Sequence, residues 1–244
     1  MQKALTKLIA ILGVTLLVGC QNQEKTITVG ASSTPHAEIL EQAKPYLKSK
    51  GYDLKIKVFN DYVLPNYALE NGELDANYFQ HEPYLNEFNA SNGTHLVSVY
   101  KVHFEPMGIY KGTKSSLESL VSSDKVIVPS DKSNYDRAVA LLTEYSLENL
   151  NIVPVEAQNI PLMLNDCAVA VINGNYALSA GVTDRCLVTE DKTSEIAQRM
   201  ANIIAVRSGK EESAKTKVLI ESLSQDNIRD FITSKYSGSV IAMF

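Results

Sequence analysis

The sequence predicts an α/β protein built as two lobes. Three observations lead there. Segments that alternate at period two are followed by segments apolar at helical spacing, the order of a parallel α/β layer. "CAVAVIN" (167–173) is an unbroken apolar run, the composition of a strand buried on both faces. The rhythm breaks at "FEPMGIYKG" (104–112), with Pro106 and Gly108, and two lobes with crossings near 104–112 and 203–209 fit this order. A single doubly wound sheet is the alternative.

The first segment reads as a leader. Lys3 and Lys7 flank the start of an apolar run from Leu8 to Val18, too short for a bilayer and right for a signal-peptide core. It ends "LVGC" (17–20), and small residues directly before a cysteine resemble a bacterial lipobox. That implies cleavage before Cys20 and acylation of its thiol and new amine, and two or more acyl chains anchor stably. "QNQEKT" (21–26) is polar and short, as a tether would be. The expectation is a chain held by lipid to a membrane of the cell envelope, facing the periplasm or the exterior.

The elements then follow in order. "TITVGAS" (26–32) alternates as a strand; Pro35 opens the helical "HAEILEQAKPYLKSKG", which Gly51 closes. "YDLKIKVF" (52–59) is a second strand. "VLPNYALENGELDANYF" (63–79) reads as short helix, glycine turn and strand, and "HEPYLNEFNASNG" (81–93) as a helix with proline in its first turn. "HLVSVYKV" (95–102) is a strand, "SLESL" (116–120) a short helix, "KVIVPSD" (125–131) a strand and "SNYDRAVALLTEYSL" (133–147) a strong helix. After "CAVAVIN" come a helical turn, "GNYALSAG", a strand, "ANIIAVRSG" (201–209), and a mostly helical tail over 212–236. The expected bounds are a signal peptide over 1–19, a tether over 20–25, a first lobe over 26–108 completed by 205–244, and a second lobe over 109–204.

Composition narrows the function. Without Lys3 and Lys7 the mature chain carries 21 basic against 28 acidic residues, a net charge of −7, which disfavours nucleic acid and anionic lipid as partners. No GxSxG elbow, P-loop or GxGxxG occurs. The four histidines, at 36, 81, 95 and 103, show no HxxxH or HExxH spacing, so neither a metal site nor a catalytic centre is indicated. Cys167 and Cys186 remain after Cys20. In an oxidising compartment a bridge between them is one reading, and two separate buried thiols the other.

A pocket wall explains more. Residues 59–85 hold six of the 18 aromatics, with no Lys, Arg or Cys. Tyr62, Phe79 and His81 fall near strand ends, where open α/β sheets bind ligands; Tyr67 and Tyr84 read instead as ordinary core or surface helix residues. Asp131, Ser133, Asn134 and Arg137 gather at a helix start, where free N–H groups welcome an anion and Arg137 can grip a carboxylate. Asn173 ends the buried strand and can offer a donor and an acceptor at once.

"FNDYVLPNYALENGELDANYFQHEPYL", "EPMGIY", "VPSDKSNYDRAVALL" and "AVINGNYAL", in that order, resemble the methionine-binding lipoproteins of bacterial ABC importers. The resemblance implies a two-lobed type II periplasmic binding protein with no enzymatic activity and no cofactor. It implies L-methionine in the cleft between the lobes, handed to a membrane permease with a cytoplasmic ATPase. Carried over by residue, Tyr62, Phe79 and His81 would line the side-chain end, Arg137 would hold the carboxylate with Asn134 close by, and Asn173 would contact the head group.

The chain departs from that pattern at Lys132, Ser133 and Asp136, and lacks a Pro-Tyr before "ANIIAVR". Asp136 beside Arg137 would weaken the grip if it faced inward; helix geometry turns it outward. Two other readings stay open: the same fold binding another small amino acid or serving a surface role without transport, and an enzyme using His81 as general base.

Overall fold

In a computed structural model of the chain, residues 25–192 and 195–244 are described. The signal peptide, Cys20 and tether residues 21–24 lie outside them.

The first half runs β1 (Lys25–Ser32), α1 (Glu38–Ser49), β2 (Tyr52–Phe59), α2 (Leu64–Glu70), β3 (Ala76–His81), α3 (Glu82–Asn92) and β4 (Leu96–Phe104). The chain then crosses to a second sheet through β5 (Gly108–Lys111), β6 (Lys125–Pro129), α4 (Lys132–Glu144), β7 (Asn151–Val155), β8 (Val169–Ile172), α5 (Gly174–Ala180) and β9 (Cys186–Thr189). It returns by way of α6 (Glu195–Arg199) to β10 (Asn202–Arg207), and ends in α7 (Ala214–Leu223), α8 (Asp226–Tyr236) and β11 (Ile241–Ala242). "SLESL" makes only a 3₁₀ turn. β7 and the 3₁₀ stretch Ala157–Asp166 were not anticipated, because Pro154 and Pro161 interrupt any periodic pattern there.

Two sheets form, which settles the choice against one doubly wound sheet. Their strand orders are β11-β4-β10-β3-β1-β2 and β7-β6-β8-β5-β9. The parallel layer expected from the alternation is only part of each. β1 pairs in parallel with β2 and β3, and β6 with β7 and β8. The strands that follow the two crossings, β5 and β10, run antiparallel to both neighbours. A chain arriving from the other lobe enters at the end where its departing strand left, so it must run backwards. The first crossing is 105–107, with Gly108 already in β5; the return is 190–201, because 203–207 belong to β10.

β8 explains its own composition. Val169 and Val171 pack into one core cluster and Ala170 and Ile172 into another, so the strand is covered on both faces. In the first lobe, Ile39, Leu40, Ala43 and Leu47 of α1 share a core with Leu219, Leu223, Ile228 and Ile232 of the two closing helices.

Cys167 and Cys186 are free thiols, so the bridged reading is not realised. β5 lies between β8 and β9, with Tyr110 level with Ala170 on one side and Cys186 on the other. Two strand spacings put the cysteine backbones roughly 9 to 10 Å apart or more, whereas a disulfide needs Cα atoms within about 7 Å. Their starts are not neighbours because the crossing strand was inserted between them.

Candidate functional site

Strand ends, helix starts and both crossings converge on one cavity between the sheets. All six residues singled out from the sequence, Tyr62, Phe79, His81, Asn134, Arg137 and Asn173, line it.

One end is aromatic. Tyr62, in the loop after β2, stands with its ring centre 5.7 Å from those of Phe79 and Tyr84 and 4.9 Å from that of Tyr176. Tyr84 donates to the Tyr62 carbonyl (3.0 Å), and Tyr62 donates across the cleft to Asn175 Oδ1 (2.5 Å). Tyr84 therefore belongs to the cavity wall, against the expectation; its helix carries that face inward. Tyr67 is the surface residue expected, 39% exposed and bonded to Asn92. Buried Asn66, Asn77 and Gln80 bond to one another at 2.7–2.9 Å and tie α2 to β3, which fixes the strand that presents Phe79 and His81.

His81 is the N-cap of α3: its Nδ1 accepts the Tyr84 N–H (3.2 Å). Its Nε2 meets Asn134 Oδ1 at 3.1 Å across the cleft, so the proton sits on Nε2. Burial, with Arg137 adding to it, pushes the imidazole down to about 3. Its one accepting nitrogen is occupied by the backbone, which leaves no lone pair for a general base.

The other end is polar. Asp131 caps α4 by accepting from the Asn134 N–H (3.0 Å), and Asn134 Oδ1 accepts from Asn173 (2.9 Å). One turn in, Arg137 donates from Nε and Nη2 to Glu190 (2.8 and 2.6 Å) and from Nη2 to the Glu105 carbonyl (2.9 Å). Among the described residues no partner takes its Nη1 hydrogens. Asp136 points outward as expected and pairs with Lys132 at 2.5 Å. Two buried amide atoms on the cavity wall have no partner, the acceptor Asn173 Oδ1 and the donor Asn175 Nδ2.

The profile of the NlpA lipoprotein family matches residues 27–151 and 146–244. The chain belongs to the NlpA lipoprotein family. Within it, the methionine-binding lipoprotein MetQ of Bacillus subtilis (strain 168) is 38% identical over 247 residues, covering 91% of this chain and 90% of that protein. A crystal structure of a protein described as a lipoprotein, from Ruminococcus gnavus ATCC 29149, superposes with a TM-score of 0.87 at 45% identity, over 90% of this chain and all of that one. A nutrient binding protein from Burkholderia cenocepacia bound to methionine gives 0.84 at 32% identity, over 89% of this chain and 100% of that one. The cavity of this NlpA-family chain lies between its two sheets.

Besides Tyr84 and Gln80, the structure adds lining or supporting residues that the sequence did not single out, among them Glu105, Asn175, Glu190 and Asn202. Glu105 sits in the first crossing, where "EPMGIY" broke the strand–helix rhythm; an acid at such a crossing was the available signal. Its carboxylate accepts from His103 Nε2 (2.6 Å) and from the Asn175 backbone N–H, with His36 Nε2 at 3.4 Å. Burial pushes Glu105 up and the two histidines down, His36 to about 4 and His103 to about 3. The ligating atoms of these three side chains lie within 4.8 Å of one another. A hydrogen bond from His103 to Glu105 and the edge-to-face packing of the two imidazoles account for that closeness without an ion. Glu190 and Asn202 lie at either end of the return crossing, and no periodic pattern marks them.

Proposed function

We propose that this chain is the substrate-binding lipoprotein of an ABC importer, that it binds L-methionine between its lobes, and that it delivers it to a membrane permease driven by an ATPase. Lipid on Cys20 would keep it beside that permease. The observation that carries this reading is the pair of unpartnered buried amide atoms, Asn173 Oδ1 and Asn175 Nδ2, on the cavity wall. A buried polar atom without a partner costs free energy of about 1–3 kcal/mol. An amino-acid head group satisfies both kinds at once: its ammonium donates to Asn173 Oδ1 and Glu105, and its carboxylate accepts from Asn175 Nδ2 and Arg137 Nη1.

The aromatic end suits the side chain. A thioether gains about 0.3–1.5 kcal/mol beside an aromatic ring, beyond what burial of its methylenes contributes. The cavity itself is about 20 Å³, the room of roughly one water. Tyr62 to Asn175 and His81 to Asn134 are bonds from one lobe to the other, so the lobes must part for a ligand to enter. Loading is thus an exchange of cross-cleft bonds for bonds to the ligand.

The test uses soluble protein lacking Cys20, stripped of ligand carried from the host. At a thousandfold excess over its dissociation constant, L-methionine should stabilise the fold by about 4 kcal/mol. No melting shift and no calorimetric heat at millimolar L-methionine would remove methionine as the ligand. A response to D-methionine or another amino acid instead would keep the pocket and change its substrate.

A further inference from the structure

Two acids stand at the polar end of the cavity, and they are held in different ways. Glu190 is neutralised by the Arg137 guanidinium through two hydrogen bonds. Glu105 receives no lysine or arginine side chain on its carboxylate among the described residues; Arg137 reaches only its backbone carbonyl. Its carboxylate is 5% exposed and is met by N–H groups of neutral partners.

The proton positions follow from the partners. A carboxylate only accepts, so His103 donates to it from Nε2, which leaves His103 Nδ1 as an acceptor. That nitrogen takes the hydroxyl hydrogen of Tyr78, a fully buried phenol with no other partner among the described residues. His36 Nε2 faces two acceptors, Asn202 Oδ1 at 3.0 Å and Glu105 Oε1 at 3.4 Å, so it too carries the hydrogen. Both imidazoles are wholly buried and packed edge to face, 4.9 Å apart. Neutral donors orient a carboxylate without cancelling its charge, and a guanidinium in their place would cancel it.

Resting on the reading of the cavity as an amino-acid site, we propose that His103, its tautomer set by Tyr78, is a positioning residue that holds Glu105 as an oriented anion reserved for the ligand's α-ammonium, and so makes the site demand a free amine. Arg137 keeps its Nη1 hydrogens for the carboxylate end, since Nε and Nη2 are held by Glu190 and the Glu105 carbonyl.

The experiment compares two ligands by calorimetry. One is L-methionine; the other is its α-hydroxy acid, which has the same side chain and carboxylate but a hydroxyl in place of the ammonium. The ratio of their dissociation constants measures the demand for the amine. His103→Leu should cut that ratio by about tenfold or more, the size of a weakened charged hydrogen bond, with most of the change in methionine affinity. His103→Gln, which keeps an N–H at that end, should retain most of the ratio. Should His103→Leu fail to fold, Tyr78→Phe removes only the phenol hydrogen bond, and the ratio should still fall. A ratio unchanged in His103→Leu and Tyr78→Phe, equal losses for both ligands, or a Gln variant no better than Leu would overturn the proposal while leaving amino-acid binding intact. Wild-type protein that binds methionine but takes the hydroxy acid equally well overturns it too. Wild-type protein that binds no amino acid overturns the reading of the cavity, and this proposal with it.

Discussion

Arg137 and Glu190 form a buried two-point ion pair, with side chains 5% and 6% exposed. The sequence alone gives Arg137 a grip on a carboxylate at a helix start. The structure makes it part of the interior. Truncating one partner of a buried pair strands the other charge, which costs about 3–5 kcal/mol. Arg137→Ala is therefore expected to lower stability by that order as well as weaken ligand binding by tenfold or more. Arg137→Met combined with Glu190→Met should recover much of the stability and none of the binding. Urea titrations of the three proteins check this, and an unchanged midpoint for Arg137→Ala would refute it.

Gly174 sets how closely α5 approaches the first crossing. A Cβ built there would stand 2.8 Å from Glu105 Cβ and 2.9 Å from Glu105 Oε2, closer than real side chains come. Gly174→Ala should cost about 1–3 kcal/mol as overpacking. It should also displace the Glu105 carboxylate, so the affinity for an amino acid should drop in the same variant. Full affinity in Gly174→Ala would show that Glu105 has no part in binding.

Three buried histidines make stability fall in acid. His36, His81 and His103 titrate in the fold at about 4, 3 and 3, against 6.5 when unfolded. Below pH 6.5 the unfolded chain takes up protons that the native chain refuses, so their contribution is complete above that pH and lost as pH falls, down to about 4 for His36 and 3 for the others. Each costs about 1.4 kcal/mol per pH unit in its window. Glu105, pushed up by burial, acts in the opposite sense and reduces the total slope. Melting temperature should drop by several degrees between pH 7 and pH 5; equal values at the two would contradict the neutral, buried state of these rings.

The cysteine arrangement predicts a plain chemical count. Denatured, unreduced protein lacking Cys20 should show two free thiols, and reductant should leave its melting temperature unchanged. No titratable thiol before reduction would require β5 to lie elsewhere than between β8 and β9.

Local chemistry made much of this molecule legible in advance. Strands such as 52–59 and helices such as 133–144 follow from their periods, and β8 from an apolar run with no polar face to offer. Of the six predicted wall residues, Phe79, His81 and Asn173 were readable from strand ends and Asn134 from a helix start, where backbone direction decides what a residue faces, while Tyr62 lies in the loop after β2 and Arg137 one turn into α4. Glu105, Asn202 and Glu190 were not. They lie in or at the ends of the crossings, where no period operates and partners come from other elements, 53 residues away for Glu190 and 166 for Asn202. Tyr84 was misread for a related reason: a helix offers every direction in turn, and only its packing selects one.

Compartment signals, element order, wall residues and family membership all reside in short stretches of chain, where spacing and composition carry the information. The antiparallel insertion of β5 and β10, the separation of Cys167 from Cys186, and the pairing of Arg137 with Glu190 do not. Nor does the convergence of Tyr78, His36 and His103 on Glu105. Each depends on which sheet edge a returning chain joins, and that is decided by burying two cores at once rather than by any local preference.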